Sequence, residues 1–343
     1  MTALFSRLAL LTLLLACWAR PAEACTVATP GTYDLGTYSP GSIKGLAVTP
    51  VGKSGGIDCS GTALSLLGGN VLTATISNSN SFKMTSAGKA DGTFQIYPSA
   101  TSQTVFAEGV AVNFLNPQVL DLLGLLGNSP SSIPLYIKPT STDPLMPGVY
   151  QGSFKVTWAW KFCSGAWVGN LCTLGTRTEG TQSATIAFTV TVAAKPVTVA
   201  ISSVTTWDPI MQTLNPKAII GAKQRMTIVV TNPDIIPADL NTVKIDIPIQ
   251  SGTAVALDGD GATGGSAIKF SEGSPASTLA FSYVGAGDMS DDVDFFSAGI
   301  GWAYVPTPGD LASQSMVTKI RLKPRGKFAA GSSFSITLPY LIK

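Results

Sequence analysis

The chain of 343 residues contains no histidine. The side chain that most often serves as general base, and most often binds a metal, is therefore missing throughout. Charge is scarce too: Asp, Glu, Lys and Arg together make up 12% of the residues, against roughly 25% in an average soluble domain. The formal net charge is +2, and no basic field of the kind nucleic acid demands arises from that balance. Long apolar runs are also lacking. Beyond residue 24 nothing approaches ~18 uninterrupted apolar residues, so no membrane-spanning helix is expected despite a mean hydropathy of +0.31. No nucleophile-elbow pattern surrounds any serine. The expectation is a protein without catalytic machinery and without a cofactor.

What takes the place of charge is Thr, Ser, Gly, Val and Ala, the composition of pleated strands and turns. Five cysteines are present. Arg7 and the apolar run Leu8 to Ala16 read as the basic and hydrophobic regions of a secretory signal peptide, and Ala22-Glu23-Ala24 as its cleavage site. Residues 1–24 are then a leader and the exported chain starts at Cys25, with nothing in front of it. Loss of Arg7, Arg20 and Glu23 leaves a net charge of +1. A lipoprotein attached at Cys17 is the rival reading, since Leu14-Leu15-Ala16-Cys17 loosely resembles a lipobox, but Leu15 suits that motif poorly and an odd cysteine count would follow.

With Cys17 gone, Cys25, Cys59, Cys163 and Cys172 remain, an even number in an exported chain. Four cysteines allow three pairings. Cys25-Cys59 with Cys163-Cys172 is favoured because the second pair brackets a Gly-containing loop that a hairpin closes.

Alternation of apolar and polar residues marks Leu72 to Ile76, Thr93 to Tyr97, Val149 to Trp160 and Thr185 to Val192, where Ile186, Phe188, Val190 and Val192 share one face. After a linker at Ala193-Ala194-Lys195-Pro196 comes a second series, Val197 to Val204, Arg225 to Thr231, Thr242 to Ile247, Ser277 to Tyr283, Met316 to Leu322, and finally Phe334, Ile336, Leu338, Tyr340 and Ile342. Pro339 has no N–H to give a ladder, which predicts an edge position for this last strand. Many short strands with frequent turn signals imply an all-β chain of two sandwich domains, 25–194 and 195–343.

Few residues call for a role beyond packing. Trp158, Trp160 and Phe162 repeat at spacing two and read as core. Trp167, Val168 and Leu171 lie within the loop that Cys163-Cys172 would tie, a candidate rigid apolar finger for contact with a surface, with a place in the core the equal alternative for Trp167. The stretch containing Leu122, Leu123, Leu125 and Leu126 lacks β-branching and reads as an apolar loop or helical turn, a second candidate adhesive loop or a buried one. Asp258-Gly259-Asp260-Gly261 and the group Asp288, Asp291, Asp292 and Asp294 offer oxygen ligands of the type calcium takes, but the EF-hand register fails at Ala262, and solvated turns explain them better.

The first domain resembles the spore coat protein U family found in subunits of archaic chaperone-usher pili. The resemblance lies in Cys25, Leu35-Gly36-Thr37-Tyr38-Ser39-Pro40, Cys59, Phe82-Lys83-Met84, Thr93 to Tyr97, Val105-Phe106, and Met146-Pro147-Gly148-Val149-Tyr150 leading into the strand that reaches Trp160. It implies a periplasmic chaperone, an usher and neighbouring pilus subunits as partners, a place on the cell surface, and a sandwich short of one strand that a neighbour's donor strand completes. Two departures matter. The disulfide loop and the strand Thr185 to Val192 go beyond the family pattern and supply a closing strand from within, and no donor segment precedes Cys25. Together they predict a subunit at the pilus tip that meets an apolar or host surface. The second domain resembles the immunoglobulin-like repeats of bacterial surface proteins at Asn215 to Ala222, Thr227 to Asn232 and Val317 to Arg321. If that domain has a groove, the Phe334 to Ile342 strand is the expected wall against which the chaperone pairs. A stand-alone coat or surface protein is the alternative to a pilus subunit.

Overall fold

A computed structural model describes residues 25–27, 31–59, 69–115, 133–173, 175–262 and 267–343. The leader 1–24 and the loop holding Leu122, Leu123, Leu125 and Leu126 lie outside the described residues. The chain divides into two compact units, the first ending at Val192 and the second running from Ala193 to Lys343 with residues 39–41 grouped alongside it. Both are built of β-sheet, so the chain is all-β, as its composition implies.

In chain order the first unit has β1 (Thr26–Val27), β2 (Thr32–Tyr38), β3 (Val51–Asp58), β4 (Val71–Ser77), β5 (Lys83–Met84), β6 (Gly92–Tyr97), β7 (Ala111–Asn113), β8 (Ile133–Thr140), β9 (Gly148–Cys163), β10 (Ala166–Val168), β11 (Leu171–Thr173) and β12 (Arg177–Val192). One sheet runs β1-β3-β8-β6-β5 and the other β2-β12-β9-β4-β7. The alternation that marks β4, β6, β9 and β12 in the sequence becomes alternating burial. Tyr150, Phe154, Val156, Trp158, Trp160 and Phe162 of β9 point inward beside Ile186, Phe188, Val190 and Val192 of β12, against Phe94, Ile96, Leu135 and Ile137 of the opposite sheet. The Phe94 and Phe188 rings meet edge to face, centroids 4.8 Å apart.

β9 and β12 are antiparallel in continuous register from Cys163 opposite Arg177 to Gly148 opposite Val192. Two glycines make that register possible. A Cβ on Gly152 would lie 2.3 Å from the Phe188 ring and one on Gly180 would lie 2.4 Å from the Trp160 ring, so each large ring lies over the bare backbone of its cross-strand partner. On its other flank β12 runs parallel to β2, Phe188 beside Tyr33 and Val192 beside Tyr38. β12 is thus an interior strand. It reaches eight residues further back than Thr185, because the tail of β9 beyond Trp160 needs a partner too.

The second unit contains β13 (Thr198–Trp207), β14 (Lys223–Thr231), β15 (Ile245–Pro248), β16 (Thr253–Val255), β17 (Lys269–Glu272), β18 (Val293–Ser297), β19 (Gly301–Tyr304), β20 (Lys319–Leu322) and β21 (Ser333–Ile342). One sheet runs β13-β14-β21-β16, with β17 also on β21, and the other runs β15-β20-β18-β19. Ser277 to Tyr283 is not a strand. It makes a single bridge, Ala280 to Arg325.

The edge position expected for Phe334 to Ile342 is corrected. β21 pairs with β14 on one side and with β17 and β16 on the other. Pro339 is tolerated because β17 stops opposite Thr337 and β16 starts opposite Tyr340. Its carbonyl accepts from Ala256 N–H at 3.0 Å on that same flank. A strand residue directs its N–H and C=O to one side, so the missing donor faces the seam between two short strands.

Replacing Phe188 with Ala removes a ring from the junction of both sheets and should cost about 3–5 kcal/mol. Urea unfolding followed by near-ultraviolet dichroism should show a correspondingly earlier midpoint.

Candidate functional site

Cys163 is bonded to Cys172, and Cys25 to Cys59. In a loop-entropy account the bridge with a sequence separation of 34 contributes about 4 kcal/mol and the one with a separation of 9 about 3 kcal/mol. The shorter bridge acts locally, because it ties the end of β9 to β11 and clamps the hairpin of β10 and β11 at its base. Trp167 lies opposite Cys172 and Val168 opposite Leu171 in that hairpin, whose turn places Gly169 at φ +60, a conformation glycine adopts without strain.

The hairpin does not present its three apolar candidates alike. Trp167 folds back: its indole N–H donates to Asn70 Oδ1 at 2.8 Å, its ring lies where a Cβ on Gly69 would stand 2.7 Å away, and Lys161 Nζ rests 4.6 Å from the ring centroid. The same Asn70 oxygen accepts from Cys163 N–H at 2.9 Å. Trp167 is therefore the hairpin's anchor, half-buried. Val168 and Leu171 are 65% and 70% exposed and form the projecting pair. Asn70 carries no signal in the sequence, since its partners lie more than ninety residues away.

In the second unit, Val199 and Ile201 stand opposite Val230 and Ile228. Directly opposed residues share a face of the sheet, and Val230 and Ile228 belong to the core. Val199 and Ile201 are nevertheless 53% and 60% exposed. They are core-facing side chains with no cover. β13 has a neighbour on one side and β15 likewise. A cleft of about 150 Å³ runs from Ile201, Ser203 and Met226 to Gln250, Thr253 and Tyr340. The Tyr340 hydroxyl is buried without a partner among the described residues, and burial pushes its pKa well up. Phe334, Ile336, Leu338 and Tyr340 are buried and Ile342 half-buried. With both flanks of β21 paired, the unpaired backbone edge beside Val199 and Ile201 is that of β13 among the described residues.

Beyond Trp207 the chain folds over Asp208, which is fully buried. Its carboxylate accepts from the N–H groups of Ile210, Met211 and Lys217 at 2.7, 2.6 and 2.6 Å. The loop so held carries Ile210, Leu214 and Ile220, 76%, 73% and 77% exposed. The hydrogen bond from Met211 foremost, with those of Lys217 and Ile210, holds the Asp208 pKa below its ordinary value of 3.8 against the opposing effect of burial.

The acidic turns are internally committed. Asp258 meets Lys223 and Asp260 meets Arg225. Asp292 meets Arg325 and Asp294 meets Lys323. Asp291 accepts from Val284 and Val293 N–H, and Asp288 from Ser290. Among the described residues no three His, Cys, Asp or Glu side chains are arranged to hold a metal, and no helix is long and apolar enough to cross a membrane.

Two outcomes are expected. Asn70→Ala should free the Trp167 indole at a cost of about 1 kcal/mol, seen as red-shifted emission and stronger acrylamide quenching. For Asp208, a depressed folded pKa gives stability that is complete above the unfolded value and lost as pH falls below about 4 through the folded one. Asp208→Asn should flatten the acid limb of a melting-temperature profile and leave its shape near pH 7 unchanged.

A search of curated protein sequences finds no match. Among solved structures, the chain is similar to a chain of the CsuC-CsuE chaperone-tip adhesion subunit pre-assembly complex from archaic chaperone-usher Csu pili of Acinetobacter baumannii. The identity is 15%, covering 93% of this chain and 100% of that one, with a TM-score of 0.39. A putative membrane anchored protein from Corynebacterium diphtheriae is 12% identical over 94% of this chain and 52% of that one, with a TM-score of 0.23. Residues 11–157 match the family model described as Spore Coat Protein U domain.

Proposed function

We propose that the chain is a non-enzymatic, exported subunit of a chaperone-usher pilus, placed at the tip, whose first domain attaches the filament to a surface. The observation that carries this reading is β12. It fills, from within the chain, the position between β9 and β2. Subunits of this class are expected to close such a position with a neighbour's strand. A domain already closed in this way takes no donor, and a filament has room for that at an end.

Residues 1–24 serve as the leader, 25–194 as the adhesive domain and 195–343 as the domain that joins the assembly. The partners are a periplasmic chaperone, the usher and an adjoining subunit. Their strand docks on the second domain across the uncovered Val199 and Ile201, alongside β13, rather than on Phe334 to Ile342. The loop of Ile210, Leu214 and Ile220 adds apolar area next to the end of β13. Attachment uses Val168 and Leu171 at the hairpin tip, with Trp167 as the rivet behind them. The Leu122 to Leu126 loop is a second contact.

Co-expression with and without a periplasmic chaperone of an archaic chaperone-usher system tests this reading. The pair should copurify in equal amounts, and Val199→Glu with Ile201→Glu should abolish copurification and leave the chain aggregated or degraded. A stable monomer that ignores the chaperone would identify a stand-alone coat or surface protein instead. Val168→Ser with Leu171→Ser should reduce attachment to polystyrene severalfold without moving the melting temperature, since both side chains are already in solvent.

A further inference from the structure

The outer face of the first unit carries a cleft of about 440 Å³ that neither strand pairing nor the hairpin accounts for. Its floor is the outward row of three neighbouring strands: Thr32 of β2, Ala187 and Thr189 of β12, and Gln151 and Ser153 of β9. Thr32 and Ser153 flank Ala187 on either side, and Thr189 lies opposite Gln151. One wall is formed by Asn80 and Lys83.

That wall is unusual backbone. Asn80, Ser81 and Phe82 are three consecutive residues at φ +51, +56 and +56, a left-handed turn without glycine. Residues of this kind persist where their surroundings hold them and concentrate at ligand clamps. Here the hold is Ser79, fully buried. Its N–H and hydroxyl donate to the Glu108 carboxylate at 3.2 and 2.7 Å, and its hydroxyl oxygen accepts from Phe82 N–H at 3.2 Å. The turn is built to keep Asn80 and Lys83 where they stand.

What converges on the cleft is polar and uncommitted. Among the described residues the side chains of Asn80, Gln151, Thr32, Ser153 and Thr189 make no hydrogen bond within the chain, and Lys83 meets Asp91 at 3.6 Å with both groups about half exposed, a weak pairing in water. We infer that this cleft binds an acidic saccharide. Amides and hydroxyls set a few ångströms apart match the vicinal hydroxyls of a sugar, and the Lys83 ammonium matches a carboxylate or sulfate on it. The volume lies within the range of small-ligand sites. A peptide strand is excluded as occupant by the backbone: β2, β12 and β9 are bonded to one another across the floor, and Gln151 exchanges both main-chain bonds with Thr85 at 2.8 Å. The inference does not depend on the pilus reading.

Calorimetric titration of the full exported chain with oligogalacturonate and with neutral dextran oligosaccharides tests it. Oligogalacturonate should bind and dextran should not. Ser153→Trp, which fills the floor from an exposed position, should abolish binding. Asn80→Gly, which keeps the left-handed backbone and deletes the amide, and Lys83→Gln should each weaken it about tenfold, with melting temperatures unchanged. Wild-type protein that binds neither sugar, equal binding of both, or undiminished binding by Asn80→Gly and Lys83→Gln would overturn the proposal. Loss of chaperone copurification with oligogalacturonate binding intact would sink the pilus reading alone.

Discussion

The continuous ladder between β9 and β12 is the constraint on which the first unit depends. Sixteen residues of each strand run in unbroken register, and because side chains alternate across a sheet, a slip of one residue would turn Trp158, Trp160, Phe162, Ile186 and Phe188 outward together. Each such side chain is worth about 1.5–3 kcal/mol when buried, so register and core are the same choice. Gly152 and Gly180 enforce it, since a displaced register would set a side chain against the Phe188 or Trp160 ring. The ladder also brings Arg177 opposite Cys163, which turns the chain between them into a short hairpin that a disulfide can close.

That hairpin illustrates how rigidity and exposure are divided among neighbours. An apolar tip that was loose would collapse onto its own domain, and ordering it on contact would offset part of what contact gains. Here the bridge and the Asn70 carboxamide hold the base, and Trp167 uses its area against Gly69. Val168 and Leu171 are thereby left facing solvent with little freedom to leave it. The loop over Asp208 in the second unit repeats the device by another route. One buried carboxylate collects three backbone N–H groups and holds Ile210, Leu214 and Ile220 outward.

Much of the architecture was legible from the chain. Period-two patterning located β4, β6, β9 and β12, because each has one face buried and one wet. The rule that Cys163 and Cys172 close a hairpin also found its match. Short strands were another matter. β16, β17 and β19 have three or four residues each, too few for a period to declare itself, and their positions come from pairing with β21 and β18. Pro339 misled for a related reason: the edge rule assumes a continuous partner, and the partner here is two fragments with a seam between them. For Trp167 the sequence leaves finger and core both open, because its anchoring partner, Asn70, is brought to it by β4 pairing with β9, a contact that no local pattern encodes. The left-handed turn at Asn80 was equally silent, since its cause is Glu108 reaching Ser79 from another loop.

The two units differ in how their core-facing residues are covered. In the first, both flanks of β12 are occupied by strands of the same chain, β9 and β2. In the second, Val199 and Ile201 carry the pattern of a core face and the exposure of a surface. At about 25 cal/mol per Å², leaving two such side chains in water forgoes a few kcal/mol that a single additional strand would recover. Sequences seldom keep apolar residues on a core face without cover, because the unpaired edge beside them invites aggregation. On the proposed reading a strand from another molecule supplies that cover, and the Tyr340 hydroxyl at the end of the same cleft, buried without a partner among the described residues, is a hydrogen-bonding group for it to satisfy.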